Sequence, residues 1–139
     1  MRSPTAHTLQ YLTARNVPRQ VVEQWISVPK HPGGGVRRDL FGFIDIVALS
    51  NKVLGIQSTT FGDRLRRLQK IMDAEHTRAW LNAGARLEVW GWKKRRAVKA
   101  DGTKGKAMRW VVVRIEVFLN SRDELMHREL PADLAISDE

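Results

Sequence analysis

The sequence predicts a mixed α/β domain, a central mixed β-sheet flanked by helices. Three patterns carry that expectation. FIDIVAL (43–49) and KVLGIQST (52–59) are nearly continuous apolar runs, and strands of that kind are usually covered on both faces. RLEVWGWK (86–93) alternates like a strand, and MRWVVVRIEVFL (108–119) is a long final one. Helical spacing precedes and separates these runs, which gives the order α-α-β-β-β-α-α-β-β.

Ser3-Pro4 pairs a capping side chain with a proline suited to the first helical position, so a short helix is expected to end near Arg15 and Asn16. Pro18 opens a second expected helix over 18–26. Its apolar stripe is Val21/Trp25 and Val22/Ile26, with Glu23 on the stripe's edge. Pro29, Pro32 and Gly33-Gly34-Gly35 then break the pattern. No Lys-Ser/Thr follows to make a phosphate-binding loop, so this run reads as a flexible connection. VRRDLF (36–41) alternates as a strand, and Ser50-Asn51 supplies the turn between the two apolar strands. After Phe61 a helix is expected, with Leu65, Leu68 and Met72 on one stripe and Arg64, Arg66, Arg67 and Lys70 around it. A further helix, 73–82, ends at Gly84, a suitable C-cap. The basic stretch 93–109, with Asp101-Gly102 inside it, reads as a long hairpin connection. Residues 1–130 form the expected domain, and 131–139 a flexible acidic tail.

Composition narrows the function. The chain has 139 residues, 24 Lys and Arg against 15 Asp and Glu, a net charge of +9 and no cysteine. The absence of cysteine removes disulfide scaffolds, thiolate metal sites and cysteine nucleophiles. No apolar run approaches the ~20 residues of a membrane span, and the N-terminus lacks a signal peptide's apolar core. A cytoplasmic protein is therefore expected, with no membrane partner. Its positive balance favours a polyanion, nucleic acid above all. The charge is concentrated at Lys93, Lys94, Arg95, Arg96, Lys99, Lys104, Lys106 and Arg109, with Asp101 the one acid among them. That run adjoins Trp90 and Trp92, which share one side of their strand and suit either base stacking or core packing. From Ile115 onward the sign reverses, with seven acids against two arginines.

Asp45 is the charged residue in the wrong place. Inside FIDIVAL it is expected to be at least half buried, and a buried carboxylate needs an ion partner, hydrogen bonds or a metal. Gln57 is a second polar group in an apolar run, and its carbonyl oxygen can ligate Mg²⁺. Register decides whether the two meet. A two-residue turn pairs Leu49 with Lys52 and sends Asp45 and Gln57 to opposite faces. A three-residue turn pairs Leu49 with Val53 and puts Asp45, Gln57 and Thr59 on one face. The second register, or a bulge with the same effect, is expected.

Glu23, then Gly42-Phe43-Ile44-Asp45 at a strand start, then Gln57-Ser58-Thr59 on the next strand resemble the PD-(D/E)XK nuclease superfamily. RRDLFGFIDIVAL, LGIQSTT and AWLNAGARLEVWGWKK look like its small stand-alone phage and prokaryotic members. The resemblance spans roughly residues 18–93. It implies a restriction-endonuclease-like core and Mg²⁺- or Mn²⁺-dependent cleavage of DNA, including branched DNA such as Holliday junctions. It makes Asp45 the central metal ligand and puts Gln57 where an acid is usual. Ser58 would offer its backbone carbonyl, and Glu23 would be the helix carboxylate that completes or orients the site. Thr59 stands where the family has its lysine. Arg64, Arg38 and Lys52 are alternative sources of that charge. A homodimer is also implied, because resolvase-like relatives need two sites for two strands. A bacterial or phage-infected cell would be the setting.

The remaining residues read plainly. Arg38, Arg64 and Arg67 join the 93–109 run as expected nucleic-acid contacts, with RNA open beside DNA. His7, His31, His76 and His127 show no metal spacing. Asp39 suits a salt bridge, and Trp25, Trp80 and Trp110 suit core positions. Two other classes stand beside the nuclease. One is a catalytically inactive nucleic-acid-binding protein on the same fold, favoured by Thr59. The other is a basic interaction module whose acidic tail binds its own hairpin or a partner.

Overall fold

Eight strands and three helices order the chain in the computed structural model, which describes residues 2–132. Positions 133–139 of the expected acidic tail lie outside the described residues. The elements are α1 (Pro4–Ala14), β1 (Arg19–Val21), β2 (Gln24–Ser27), β3 (Gly35–Arg38), β4 (Ile46–Leu49) and β5 (Val53–Thr60). A 3₁₀ turn (Phe61–Asp63) leads into α2 (Arg64–Asp73) and α3 (Thr77–Asn82). The chain continues through β6 (Arg86–Val98), β7 (Lys104–Leu119) and β8 (Leu125–Glu129).

Six strands form a mixed sheet in the order β1-β4-β5-β6-β7-β8, and β2-β3 is a separate hairpin. Only β5 and β6 run parallel. They are joined through α2 and α3, the helical crossover that parallel neighbours require. Helices cover both faces, as the apolar strands predicted. Leu12 of α1 packs with Ile46, Ala48, Leu54, Ile56, Trp90 and Trp92. On the other face Leu68 and Ile71 of α2 pack with Phe43, Ile44, Leu87, Val89, Ile115 and Val117. Leu54 and Ile56 face α1, so Gln57 and Thr59, at the alternate positions of β5, face α2.

Ser3 caps α1 as expected, its hydroxyl accepting from the Ala6 N–H at 3.2 Å. Gly84 lies just beyond α3 at φ +94°, where its N–H bonds the Leu81 carbonyl at 3.0 Å. The α2 stripe differs from expectation. Leu68 and Ile71 are buried, while Leu65 is 59% exposed. Arg64 is the reason. Its stem lies so close over β6 that a Cβ on Gly91 would come within 3.2 Å of the Arg64 Cβ. The first turn of α2 meets the sheet through that stem, which leaves Leu65 to solvent.

The helix expected over 18–26 is absent, and β1 and β2 stand there instead. β1 pairs along β4 as Arg19↔Ala48, Gln20↔Val47 and Val21↔Ile46. The Leu49 N–H bonds the Pro18 carbonyl, and the Val22 N–H bonds the Asp45 carbonyl. An open sheet edge thus satisfies the backbone of a Val-rich stretch better than a short helix does. Trp25, expected in the core, is 57% exposed on β2. The glycine run is the turn of the β2–β3 hairpin rather than a loose connection, with Gly33 and Gly34 both at φ +84°.

The 93–109 stretch is also mostly strand. β6 and β7 pair from Leu87↔Val117 out to Val98↔Lys104, with a register shift between Arg96 and Val98. The turn is short: the Lys99 N–H bonds Thr103, whose own N–H and hydroxyl bond the Asp101 carboxylate. The basic run is therefore a projecting two-stranded ribbon. β8 carried no sequence signal, since LMHRE neither alternates nor forms an apolar run. It is an edge strand set by a turn in which the Asn120 side chain accepts from the Arg122 and Glu124 N–H groups at 2.9 Å each.

Candidate functional site

The β4–β5 register builds the site. Leu49 pairs with Val53 and Ile46 with Ile56, the three-residue register expected from sequence. Asp45 directly precedes β4 and continues the pairing, its N–H bonding the Ile56 carbonyl at 3.1 Å. Asp45 and Gln57 therefore meet on the α2 face. The Gln57 Nε2 donates to Asp45 Oδ2 at 3.1 Å, and the Ser58 N–H reaches both carboxylate oxygens at 3.1 and 3.2 Å.

Both side chains are deeply buried, Asp45 at 5% and Gln57 at 1% exposure. Burial pushes the Asp45 carboxyl up to about 7, against the opposing pull of the Ser58 N–H. Asp39 and Glu23 raise it further, and Arg67 opposes them. Gln57 Oε1 is buried with no hydrogen-bond partner. A buried unpaired carbonyl is costly. Two partners fit it: a cation held beside Asp45, or the Asp45 proton with the amide turned over.

A cleft of about 400 Å³ opens over this pair. Glu23, Asp39, Asp45 and Asp63 supply its carboxylates, Thr59 its hydroxyl, and Arg66 and Arg67 its cations. Glu23 reaches the cleft from the link between β1 and β2, not from a helix, and pairs with Arg37 at 3.7 Å. Asp39 pairs with Lys70 at 3.5 Å, the salt bridge expected of it. Asp63 accepts two bonds from Arg66, at 2.6 and 2.7 Å, and one from Arg67 at 3.2 Å. The Arg66 hydrogen bonds lead in holding its carboxyl down at about 2. The Thr59 hydroxyl donates to Asp63 at 3.4 Å. Ser58 turns its own hydroxyl to the opposite face, 2.8 Å from Thr8 of α1.

The donor set can be tested for a divalent cation. Asp45 and the unpartnered Gln57 Oε1 are adjacent hard oxygen donors, which suit Mg²⁺ or Mn²⁺. The other carboxylates do not converge on them. Among the described residues no group of three or more His, Cys, Asp or Glu side chains is placed to hold a metal. The fit is thus to a two-donor site, with the remaining positions left to water or substrate.

The residues proposed to replace the missing lysine separate in space. Lys52 lies at the far end of β5, beside Arg86 and Glu116. Arg64 is committed to Phe61, its guanidinium 3.6 Å over the ring and its N–H on the Phe61 carbonyl. Arg38 lines the neighbouring groove. Arg67, expected only as a nucleic-acid contact, lines the Asp45 cleft beside Arg66 and acts on Asp45.

The other expected contacts sit on the ribbon. Lys93 lies 4.1 Å over the Phe61 ring, and Lys94 lies 5.5 Å over Trp110 on the opposite face. Arg95, Arg96, Lys99, Lys104 and Lys106 are exposed. Trp90 and Trp92 are core residues, 0% and 6% exposed, so they are not stacking platforms. Trp80 and Trp110 are partly buried against the core.

Sequence reading missed a buried ionic network on the α1 face. Glu88 accepts from Arg114 Nε at 2.7 Å, Arg86 Nη2 at 2.8 Å and Trp90 Nε1 at 3.0 Å. Glu116 takes Arg128 at 2.7 Å and Arg86 at 3.4 Å. The alternation of Arg86 with Glu88, and of Arg114 with Glu116, was its signal once Glu88↔Glu116 pairing is known.

Compared with family models, curated proteins and solved structures, the chain shows no significant match. Among the described residues no helix is long and apolar enough to cross a membrane.

Proposed function

We propose that the protein is a metal-dependent DNA endonuclease on a restriction-endonuclease-like core, with branched DNA such as a Holliday junction as the substrate its sequence resemblance implies. One observation carries the reading: a buried carboxylate, Asp45, beside an unpartnered buried carbonyl, Gln57 Oε1, in a cleft rimmed by arginines. A bound cation would partner the Gln57 carbonyl and stabilise the charged Asp45 at once. Asp45 and Gln57 would hold Mg²⁺ or Mn²⁺. When bound, such an ion polarises a phosphate oxygen and lowers the pKa of a bound water.

The chain's own residues supply the rest. The Ser58 N–H fixes the Asp45 carboxylate, and Gln57 Nε2 fixes its second oxygen. Arg67 supplies charge toward a phosphate at the place where Thr59 brings none. Glu23, on the same cleft, accepts the proton of an attacking water. Arg66 and Arg67 are steadied by Asp63, which keeps them at the mouth. The basic ribbon docks the nucleic acid through phosphate contacts.

A second reading is favoured by a specific observation. The Thr59 hydroxyl is tied to Asp63, and among the described residues no third carboxylate converges on Asp45. That suits a catalytically inactive nucleic-acid-binding protein on the same fold. Incubation with linear, single-stranded and four-way-junction DNA in Mg²⁺, Mn²⁺ or EDTA separates the two. Cation-dependent cleavage supports the nuclease. Salt-sensitive binding without cleavage of any substrate supports the inactive binder.

A further inference from the structure

We infer that Phe41 is a stacking platform for an unpaired DNA base beside the cleavage site. The inference rests on the nucleic-acid reading above and adds to it the feature of the substrate that is recognised. Phe41 is 55% exposed, although it belongs to the apolar stretch that builds the core. Its backbone is left-handed, φ +54°, and Gly42 follows at φ +85°. A bulky side chain rarely adopts that conformation, and glycine or asparagine would hold it at lower cost. Strain of this kind persists where surroundings enforce it, and it gathers at functional sites.

The surroundings do enforce it. The Leu40 N–H bonds the Ile44 carbonyl at 2.7 Å, and the Gly42 N–H bonds the Asp39 carbonyl at 3.0 Å. Phe43 and Ile44, fully buried, pin the far side of the turn. The Phe41 ring meets His76 edge-on at 5.7 Å and Trp80 at 6.2 Å. Those contacts brace the ring while leaving much of it to solvent.

Its position selects the ligand. Phe41 lines a groove of about 750 Å³ that shares Glu23, Asp39 and Arg67 with the Asp45 cleft. Arg37, Arg38, Arg67 and Lys70 in that groove outnumber Glu23 and Asp39 by two charges. A braced aromatic among excess cations matches a base with its flanking phosphates. In a continuous duplex the bases are already stacked, so the platform rewards a bulge, mismatch or branch point.

The test uses duplexes with and without a two-nucleotide bulge carrying 2-aminopurine, bound in EDTA so that cleavage plays no part. The wild type is expected to bind the bulged duplex more tightly than the paired one and to quench the 2-aminopurine. Phe41→Gly, which relieves the backbone, should keep or raise Tm and keep paired-duplex affinity. It should lose about tenfold on the bulged duplex, together with the quench. Phe41→Trp should restore both. A Phe41→Gly protein that keeps its preference and quench overturns the inference while leaving nucleic-acid binding in place. A wild type that binds neither duplex overturns both.

Discussion

Gln57 reaches across the β4–β5 hairpin to Asp45, Nε2 to Oδ2 at 3.1 Å, and leaves its own Oε1 buried and unpartnered. Within a hairpin whose neighbours are Ile46, Ala48, Leu54 and Ile56, this pair is a local conflict between burial and polarity. Conflicts of that sort are expected at functional or strained sites.

The first consequence is a pH dependence of stability. The Asp45 carboxyl lies near 7 in the folded protein and near 3.8 when unfolded. The unfolded state therefore releases its proton first as pH rises. Stability should fall between about pH 4 and pH 7 and level off above, by up to about 4 kcal/mol from this group. Asp45→Asn keeps an acceptor for Ser58 and removes the ionisation. Its denaturation curves should show a shallower slope with pH, and a higher Tm than wild type at pH 8 without divalent cation.

Gln57→Glu puts a second carboxylate against Asp45. Two such groups cannot both ionise freely at this separation. Without metal the variant should lose stability steeply above pH 5. Added Mg²⁺ should raise its Tm more than it raises the wild type's, because two charged oxygens bind the ion better than one. Thermal scans with and without Mg²⁺ read this directly.

Glu88→Ala tests the buried network. It removes the carboxylate that Arg86 and Arg114 share on the α1 face. The expected cost is about 3–5 kcal/mol, measured by urea denaturation. Glu88→Gln, which keeps the hydrogen-bond acceptor, should cost less.

The ribbon predicts a salt signature. Lys94, Arg95 and Arg96 project from the exposed part of β6. Replacing all three with alanine should lower the slope of log K against log salt by about 0.9 for each phosphate that is no longer neutralised. An unchanged slope would place the docking surface elsewhere.

Much of this was legible in the sequence, for physical reasons. The β4 and β5 strands are apolar on both faces, so Asp45 and Gln57 stood out, while their register turned on the length of the turn, which the sequence left between two and three residues. The misreadings fell where tertiary context outweighed local pattern. Val21/Trp25 spacing suits a helix, yet the open edge of β4 offered Val21 a ladder and β3 offered one to Trp25. The 93–109 charges suggested a loop, yet cross-strand pairing carries long Lys and Arg side chains on a solvent-exposed ribbon at no burial cost. β8 is an edge strand and carries no periodic signal. Arg67 could not be assigned to the cleft by sequence, because its place there depends on how α2 seats over Gly91.

The proposed role of Asp45 is to anchor cation-dependent cleavage. Its most direct test is single-turnover cleavage of four-way-junction DNA by wild type and Asp45→Ala, prepared identically, in Mg²⁺ and in EDTA, with binding measured alongside. The expected result is cleavage by the wild type in Mg²⁺ alone, none by the variant, and near-equal binding by both. Equal cleavage by Asp45→Ala, with contaminating nuclease excluded, would contradict it.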